Sequence, residues 1–259
     1  MDLGIAGRKA IVCASSRGLG KACARALAEA GCEVVINGRD AKTLQATAAE
    51  LTKLTGAKII AVAADVATPE GQKALLAACP TPDILINNNA GPPLRDFREL
   101  TRQQMIDGVI ASMIVAVELI QKVIDPMCER KFGRIVNITS GAVKMPIAGL
   151  DLSSGARAGL TAFVGGIART VADKNVTINN ILPGAFNTDR LTGTLSKMSE
   201  KTGKSVEQLA NERLATIPAR RFGEPPEFGA TAAFLCSANA GYITGLNVLI
   251  DGGAFPGAF

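Results

Sequence analysis

The chain has 259 residues, 47% apolar and 20% charged, with 28 basic and 23 acidic side chains and a net charge of +5. That apolar share excludes disorder and is enough for one large core or two small domains. It has no His, no Trp and one Tyr, Tyr242, which excludes Ser-His-Asp and Cys-His devices and His-ligated metals, so no metal site is expected.

From the N-terminus, short β-branched or apolar runs alternate with longer helical patterns. Residues 10–14 read as the first strand, running into Cys13-Ala14-Ser15-Ser16-Arg17-Gly18-Leu19-Gly20 and an Ala-rich helix over 18–31. Glycines 18 and 20 let backbone approach a pyrophosphate, and the N-terminus of the helix stabilises its charge. This makes Ala14, Ser16, Arg17, Gly18, Leu19 and Gly20 a candidate phosphate loop. Glycines before a helix are common, and the position directly after the first strand is what gives this loop weight.

The second strand, 33–37, ends in Asn37-Gly38-Arg39, and a helix follows over 41–55. An acid at that strand end would bind the ribose hydroxyls of NAD. Gly38 and Arg39 stand there instead, and a guanidinium suits the 2′-phosphate of NADP, with Arg17 able to join it. NADP(H) is therefore favoured over NAD(H), against the plainer reading of two solvated arginines.

A third strand at 58–63 leads to Asp65-Val66 and a helix over 69–79, and a fourth at 83–87 leads to Asn88-Asn89-Ala90-Gly91. A long helix over 101–130 opens on a capping-box pair, Thr101 and Gln104. The fifth strand, 134–138, precedes Thr139-Ser140 and a helix over 153–174. The sixth, 176–182, precedes Pro183-Gly184 and Thr188. Residues 186–225 break the rhythm. They are polar, hold a second capping-box pair in Ser205 and Gln208, and read as a partly helical lid. A helix over 225–239 and a seventh strand at 246–250 close the chain. Strands apolar on both faces, alternating with helices throughout, predict a single doubly wound α/β domain over 1–259, with a parallel sheet of about seven strands.

The basic residues are scattered, so no nucleic-acid partner is expected. Six Cys without a C-x-x-C pair read as reduced and buried. There is no signal core and no run long enough to span a membrane, so a cytoplasmic protein without membrane contact is expected.

The ordered set of the glycine loop, Asp65-Val66, Asn88-Asn89-Ala90-Gly91, Ser140, Pro183-Gly184, Thr188, Thr244-Gly245 and Asp251-Gly252-Gly253 resembles the short-chain dehydrogenase/reductase family over essentially the whole chain. The resemblance implies a Rossmann fold, a nicotinamide dinucleotide, a small carbonyl or alcohol substrate, and a homodimer or homotetramer built on the 101–130 and 153–174 helices. It also implies that Asp65 meets the adenine amine, that Asn89, Ala90 and Gly91 line the cofactor channel, and that Pro183, Gly184 and Thr188 hold the nicotinamide end. Turn chemistry at strand ends is the plainer account of Asp65, Asn89 and Pro183. Ala14 replaces the family's first loop glycine, which predicts a loop slightly farther from the phosphates. The 87–91 segment carries either a one-residue insertion or Asn89 in an Ala place.

The family's reaction uses an Asn, a Ser, a Tyr and, four residues after the Tyr, a Lys. Ser140 holds the Ser place; the Asn, Tyr and Lys places fall on Ser112, Ser153 and Arg157. Ser153 and Arg157 share one helix face. Arg157 keeps the positive charge and the ribose hydrogen bonds but is no acid at neutral pH. Ser is a far poorer acid than a phenol, and Tyr242 lies elsewhere. A water held by Ser140 and Ser153, or Asp151, could carry the proton; a solvated loop carboxylate is the plainer reading of Asp151. The pattern predicts an atypical NADP(H)-dependent oxidoreductase for a ketone or secondary alcohol, 3-oxoacyl reductase-like in its scope. An NADP(H)-binding pseudoenzyme or sensor, and a non-redox lyase or isomerase, are the alternatives. The basic residues of the lid segment fit either an anionic carrier or a solvated helix face.

Overall fold

A computed structural model describes residues 1–257. Seven parallel strands form one sheet in the order β3-β2-β1-β4-β5-β6-β7: β1 (Lys9–Val12), β2 (Glu33–Gly38), β3 (Ile59–Ala63), β4 (Ile84–Asn87), β5 (Gly133–Ile138), β6 (Val176–Pro183) and β7 (Asn247–Ile250). The helices are α1 (Gly18–Glu29), α2 (Ala41–Thr55), α3 (Pro69–Ala78), α4 (Arg102–Val109), α5 (Val115–Glu129), α6 (Asp151–Val171), α7 (Asp189–Thr202), α8 (Val206–Ala215) and α9 (Pro225–Leu235).

Side chains alternate across each strand, so the sheet feeds two cores. Ala10, Val12, Ile84 and Ile86 face α1, α2 and α9, where Leu27, Leu44, Leu51 and Phe228 are fully buried. Ile11, Cys13, Val35 and Leu85 face α3, α5 and α6, against Leu75, Leu119, Val123 and Val164. This is why the strands are apolar on both faces: neither face meets water.

Several predicted boundaries move. The first strand ends at Val12 rather than residue 14, because Ala14 turns into the left-handed region at φ 44°. The predicted 101–130 helix is interrupted: α4 and α5 are joined by a π-helical turn over Ile110–Ile114. α6 starts at Asp151, whose charge suits a helix N-terminus, and ends at Val171 before a 3₁₀ turn. α9 ends at Leu235, four residues short of the expected 239. Both capping boxes form, Thr101 with Gln104 and Ser205 with Gln208. Residues 186–225 hold α7 and α8, pinned at their base where Asn187 N–H donates to Gly223 O at 2.8 Å and Gly223 N–H to Ala185 O at 3.0 Å.

Candidate active site

The order in which strands are added to the sheet reverses between β1 and β4, and the loops leaving the C-terminal ends of β1, β4, β5 and β6 meet there. In open α/β sheets that crevice is the ligand site.

The loop after β1 is locked from below by residues that the sequence reading passed over. Ser15 is fully buried; its Oγ donates to Val12 O at 2.7 Å and accepts from Asn37 N–H at 3.0 Å. The Asn37 amide donates to Val62 O and Ala64 O and its oxygen accepts from Ala14 N–H, tying three strand ends together. Asn88 Nδ2 donates to Ala14 O at 3.1 Å. Ala14 thus keeps a turn that favours glycine, and the substitution appears as backbone strain at that residue. Gly20 is obligatory, since a Cβ there would lie 2.4 Å from Ala14 O. Gly18 opens α1, with Ser16, Arg17 and Leu19 beside it and the first N–H groups of the helix unsatisfied by side chains.

Arg39 and Arg17 are exposed at the end of β2 and the start of α1. Arg39 Nη1 lies 4.0 Å from Asp65 Oδ2, a loose surface pair. Asp65 Oδ1 accepts from Ala67 N–H, the turn role allowed for it, and Val66 is buried below. On the β4 side the ladder to β5 is unbroken through Asn87, opposite Asn137. Any additional residue therefore lies beyond Asn87. Asn89 accepts from Ala90 N–H and donates to Ala111 O in the π turn; Gly91 follows. At β6, Gly184 packs on Asp251, where a Cβ would come within 2.7 Å of its Cα. Thr188 precedes α7, with its methyl 3.9 Å from where a Cβ on Gly18 would stand. The residues expected at the two ends of a dinucleotide therefore border one groove.

Of the four residues expected at the catalytic places, Ser153 and Arg157 are in direct contact. Ser140 Oγ accepts from Ala142 N–H at the start of a 3₁₀ turn. Ser153 and Arg157 are buried, at 6% and 7% exposure. Arg157 Nε donates to Ser153 Oγ at 3.2 Å, and Nη1 donates to Ile138 O at 2.8 Å and Thr139 O at 3.2 Å. Three of its five N–H groups are thereby occupied, leaving Nη2, which lies 3.2 Å from the position of a Cβ on Gly91. Burial, and secondarily the Arg190 guanidinium, push Arg157 down to about 10. Ser112 sits in the π turn, buried and with no hydrogen-bond partner among the described residues. It lines a cavity of about 20 Å³ with Asn87, Asn89, Asn137 and Arg157. That is room for one water.

Asp151 accepts from Gly149 N–H and is exposed, which matches the solvated reading. Tyr242 is fully exposed before the N-terminal end of β7, at the sheet edge opposite the groove. The Cys are unpaired, and burial pushes the Cys13 thiol up to about 12, so it is no nucleophile.

The family described as enoyl-(acyl carrier protein) reductase matches residues 13–254. The chain belongs to the short-chain dehydrogenase/reductase family. Among similar members of that family, the NADPH-dependent reductase BacG of Bacillus subtilis is 31% identical over 253 residues, covering 95% of this chain and 97% of that protein. The 3-oxoacyl-[acyl-carrier-protein] reductase FabG of Vibrio cholerae is 30% identical, covering 98% and 99%. In structure, the chain is similar to L-sorbose reductase of Gluconobacter frateurii complexed with NADPH and L-sorbose. The TM-score is 0.94 at 28% identity, covering 99% of this chain and 100% of the other. All three of these relatives are reductases, and two of them are described with NADPH. Among the described residues, no helix is long and apolar enough to cross a membrane.

Proposed function

We propose that the protein is an NADP(H)-dependent reductase of a ketone, with Ser153 and Arg157 in the places of the family's Tyr and Lys. The hydrogen bond from Arg157 Nε to Ser153 Oγ carries this reading. Nε can only donate, so Ser153 Oγ accepts and its own O–H is free to turn toward a substrate oxygen. The buried guanidinium next to it favours negative charge developing on that oxygen.

The cradle fits a dinucleotide. Gly20 lets α1 close onto the loop after β1, and the start of α1 offers N–H groups to a pyrophosphate. Ser16, Arg17, Gly18, Leu19 and Gly20 would hold the phosphates and Arg39 the 2′-phosphate. Asp65 and Val66 would border the adenine, and Asn89, Ala90, Pro183, Gly184 and Thr188 the nicotinamide half. When bound, the reduced nicotinamide supplies the hydride. Ser153 then donates its proton to the product alkoxide. Serine and the product are both aliphatic alcohols, so the transfer is close to thermoneutral, and water at Ser140 returns the proton. The α7–α8 segment acts as a lid, and the exposed Met105, Ile106, Val109, Ile114 and Phe163 supply the apolar face of a homo-oligomer on α4, α5 and α6.

The test is NADPH oxidation against a panel of ketones, with NADPH binding measured by calorimetry. Ser153→Ala should lower kcat about 10²-fold with NADPH affinity kept. Selective NADPH binding with no turnover on any ketone would overturn the reductase reading in favour of a cofactor-binding pseudoenzyme.

A further inference from the structure

The groove beside Gly91 holds more positive charge than a neutral ketone requires. A Cβ on Gly91 would lie 3.2 Å from Arg157 Nη2, 3.4 Å from Arg190 Nη2 and 3.6 Å from Ser153 Oγ. Two guanidinium ends and one hydroxyl therefore converge on the groove wall at Gly91, where the absence of a side chain lets both nitrogens come close. Among the described residues, neither Arg157 nor Arg190 forms an ion pair within 4.0 Å, although ten other pairs occur in the molecule. Asp151 and Asp189, the acids nearest to them in sequence, pair with neither. Arg157 is 7% exposed and its Nη2 donates to no protein acceptor. Two like charges facing one cleft, one of them buried, are stabilised by an anion between them and repel each other without it.

We propose that the substrate is a 2-oxo or 3-oxo acid, its carboxylate held by Arg157 Nη2 and Arg190 Nη2 while its ketone oxygen meets Ser153. This rests on the reductase reading. Ser153 Oγ stands at the same glycine as both nitrogens, which sets the class: the anion must be one or two bonds from the ketone carbon. A carboxylate matches the planar fork of a guanidinium better than a neutral carbonyl does. Arg190 stands two residues after Thr188, at the start of α7, so lid position and anion binding are coupled.

Calorimetric titration of the NADP⁺ complex with oxamate, a carboxylate that cannot be reduced, tests the site without turnover. Wild type should bind oxamate, and Arg190→Met should weaken it about tenfold or more, with NADP⁺ affinity unchanged. Arg190→Lys should recover part of the loss. If Arg190→Met instead weakens NADP⁺ and leaves oxamate binding intact, Arg190 serves the cofactor phosphates and the proposal is overturned. A kinetic arm compares pyruvate with methyl pyruvate. Preference for the acid that disappears in Arg190→Met, through KM, supports the proposal. If the ester or neutral ketones turn over as well as the acid, the carboxylate site falls and the reductase reading stands. If oxamate binds through Arg190 but nothing oxidises NADPH, the reductase reading falls and the anion site stands.

Discussion

Ala14 shows how a single residue can keep a motif and strain it. Its φ of 44° lies where a Cβ is unwelcome, yet Asn37 and Asn88 hold its backbone in place. Ala14→Gly should therefore raise stability by about 1 kcal/mol, read from thermal unfolding, without weakening NADPH binding. The substitution was visible in the sequence; the strain was not, because it depends on amides brought in from β2 and β4. Arg157 makes the second residue-scale point. Its folded value, about 10, is depressed from the ordinary arginine range by burial. Below that value the group is charged and oxyanion stabilisation is complete; as pH rises through it, the charge and the activity are lost. For stability the sign is opposite. The unfolded chain binds the additional proton from about 10 up to the ordinary arginine value, so burial of this cation costs most below that window and the cost is relieved as pH rises through it. With no His in the chain, kcat/KM should be flat from about pH 6 to 9 and fall near 10. A pH profile with a limb near neutrality would contradict this assignment.

At the scale of elements, strand pairing places four asparagines in one row across the sheet: Asn87, Asn137, Asn180 and Asn247. Each amide donates to the next, at 2.9, 2.9 and 2.8 Å. Asn87 Oδ1 is the unpartnered acceptor at the end, beside Ser112. A chain of amides polarises its members, and a break leaves buried groups unsatisfied. Asn137→Leu should cost about 2 kcal/mol or more, measured by denaturant titration, because both Asn87 and Asn180 lose a partner. The signal in the sequence was an Asn inside otherwise apolar strands, as in Ile84-Leu85-Ile86-Asn87. Reading it as a row required the register, which no single strand carries. The π turn at Ile110–Ile114 was equally hidden. Its side chains keep a helical period, and the one-residue offset that turns Ser112 inward comes from packing against α6 and the Asn89 amide.

For the whole molecule, the order β3-β2-β1-β4 creates the crevice, and its location follows from where the strand order reverses. The end of β2 then lies beside the start of α1, with Gly38 packed against Ser16 and Arg39 outside it. Arg39 is 72% exposed and only loosely paired with Asp65, so its charge is available to a 2′-phosphate. Arg39→Asp should lower the NADPH to NADH preference in kcat/KM by about tenfold or more. An unchanged ratio would remove Arg39 from cofactor selection.

By itself the sequence determined the layers, the strand and helix order and the glycine loop. These are properties of local pattern: hydrophobic period, turn chemistry and fixed spacing within one element. Only the tertiary structure decided that Arg157 uses Nε on Ser153 and Nη1 on β5, that its last two N–H groups face Gly91, and that Arg190 meets it there from a different helix. The physical reason is that the direction of a donor is set by which acceptors compete for it. Those acceptors come from strands and loops far apart in the chain.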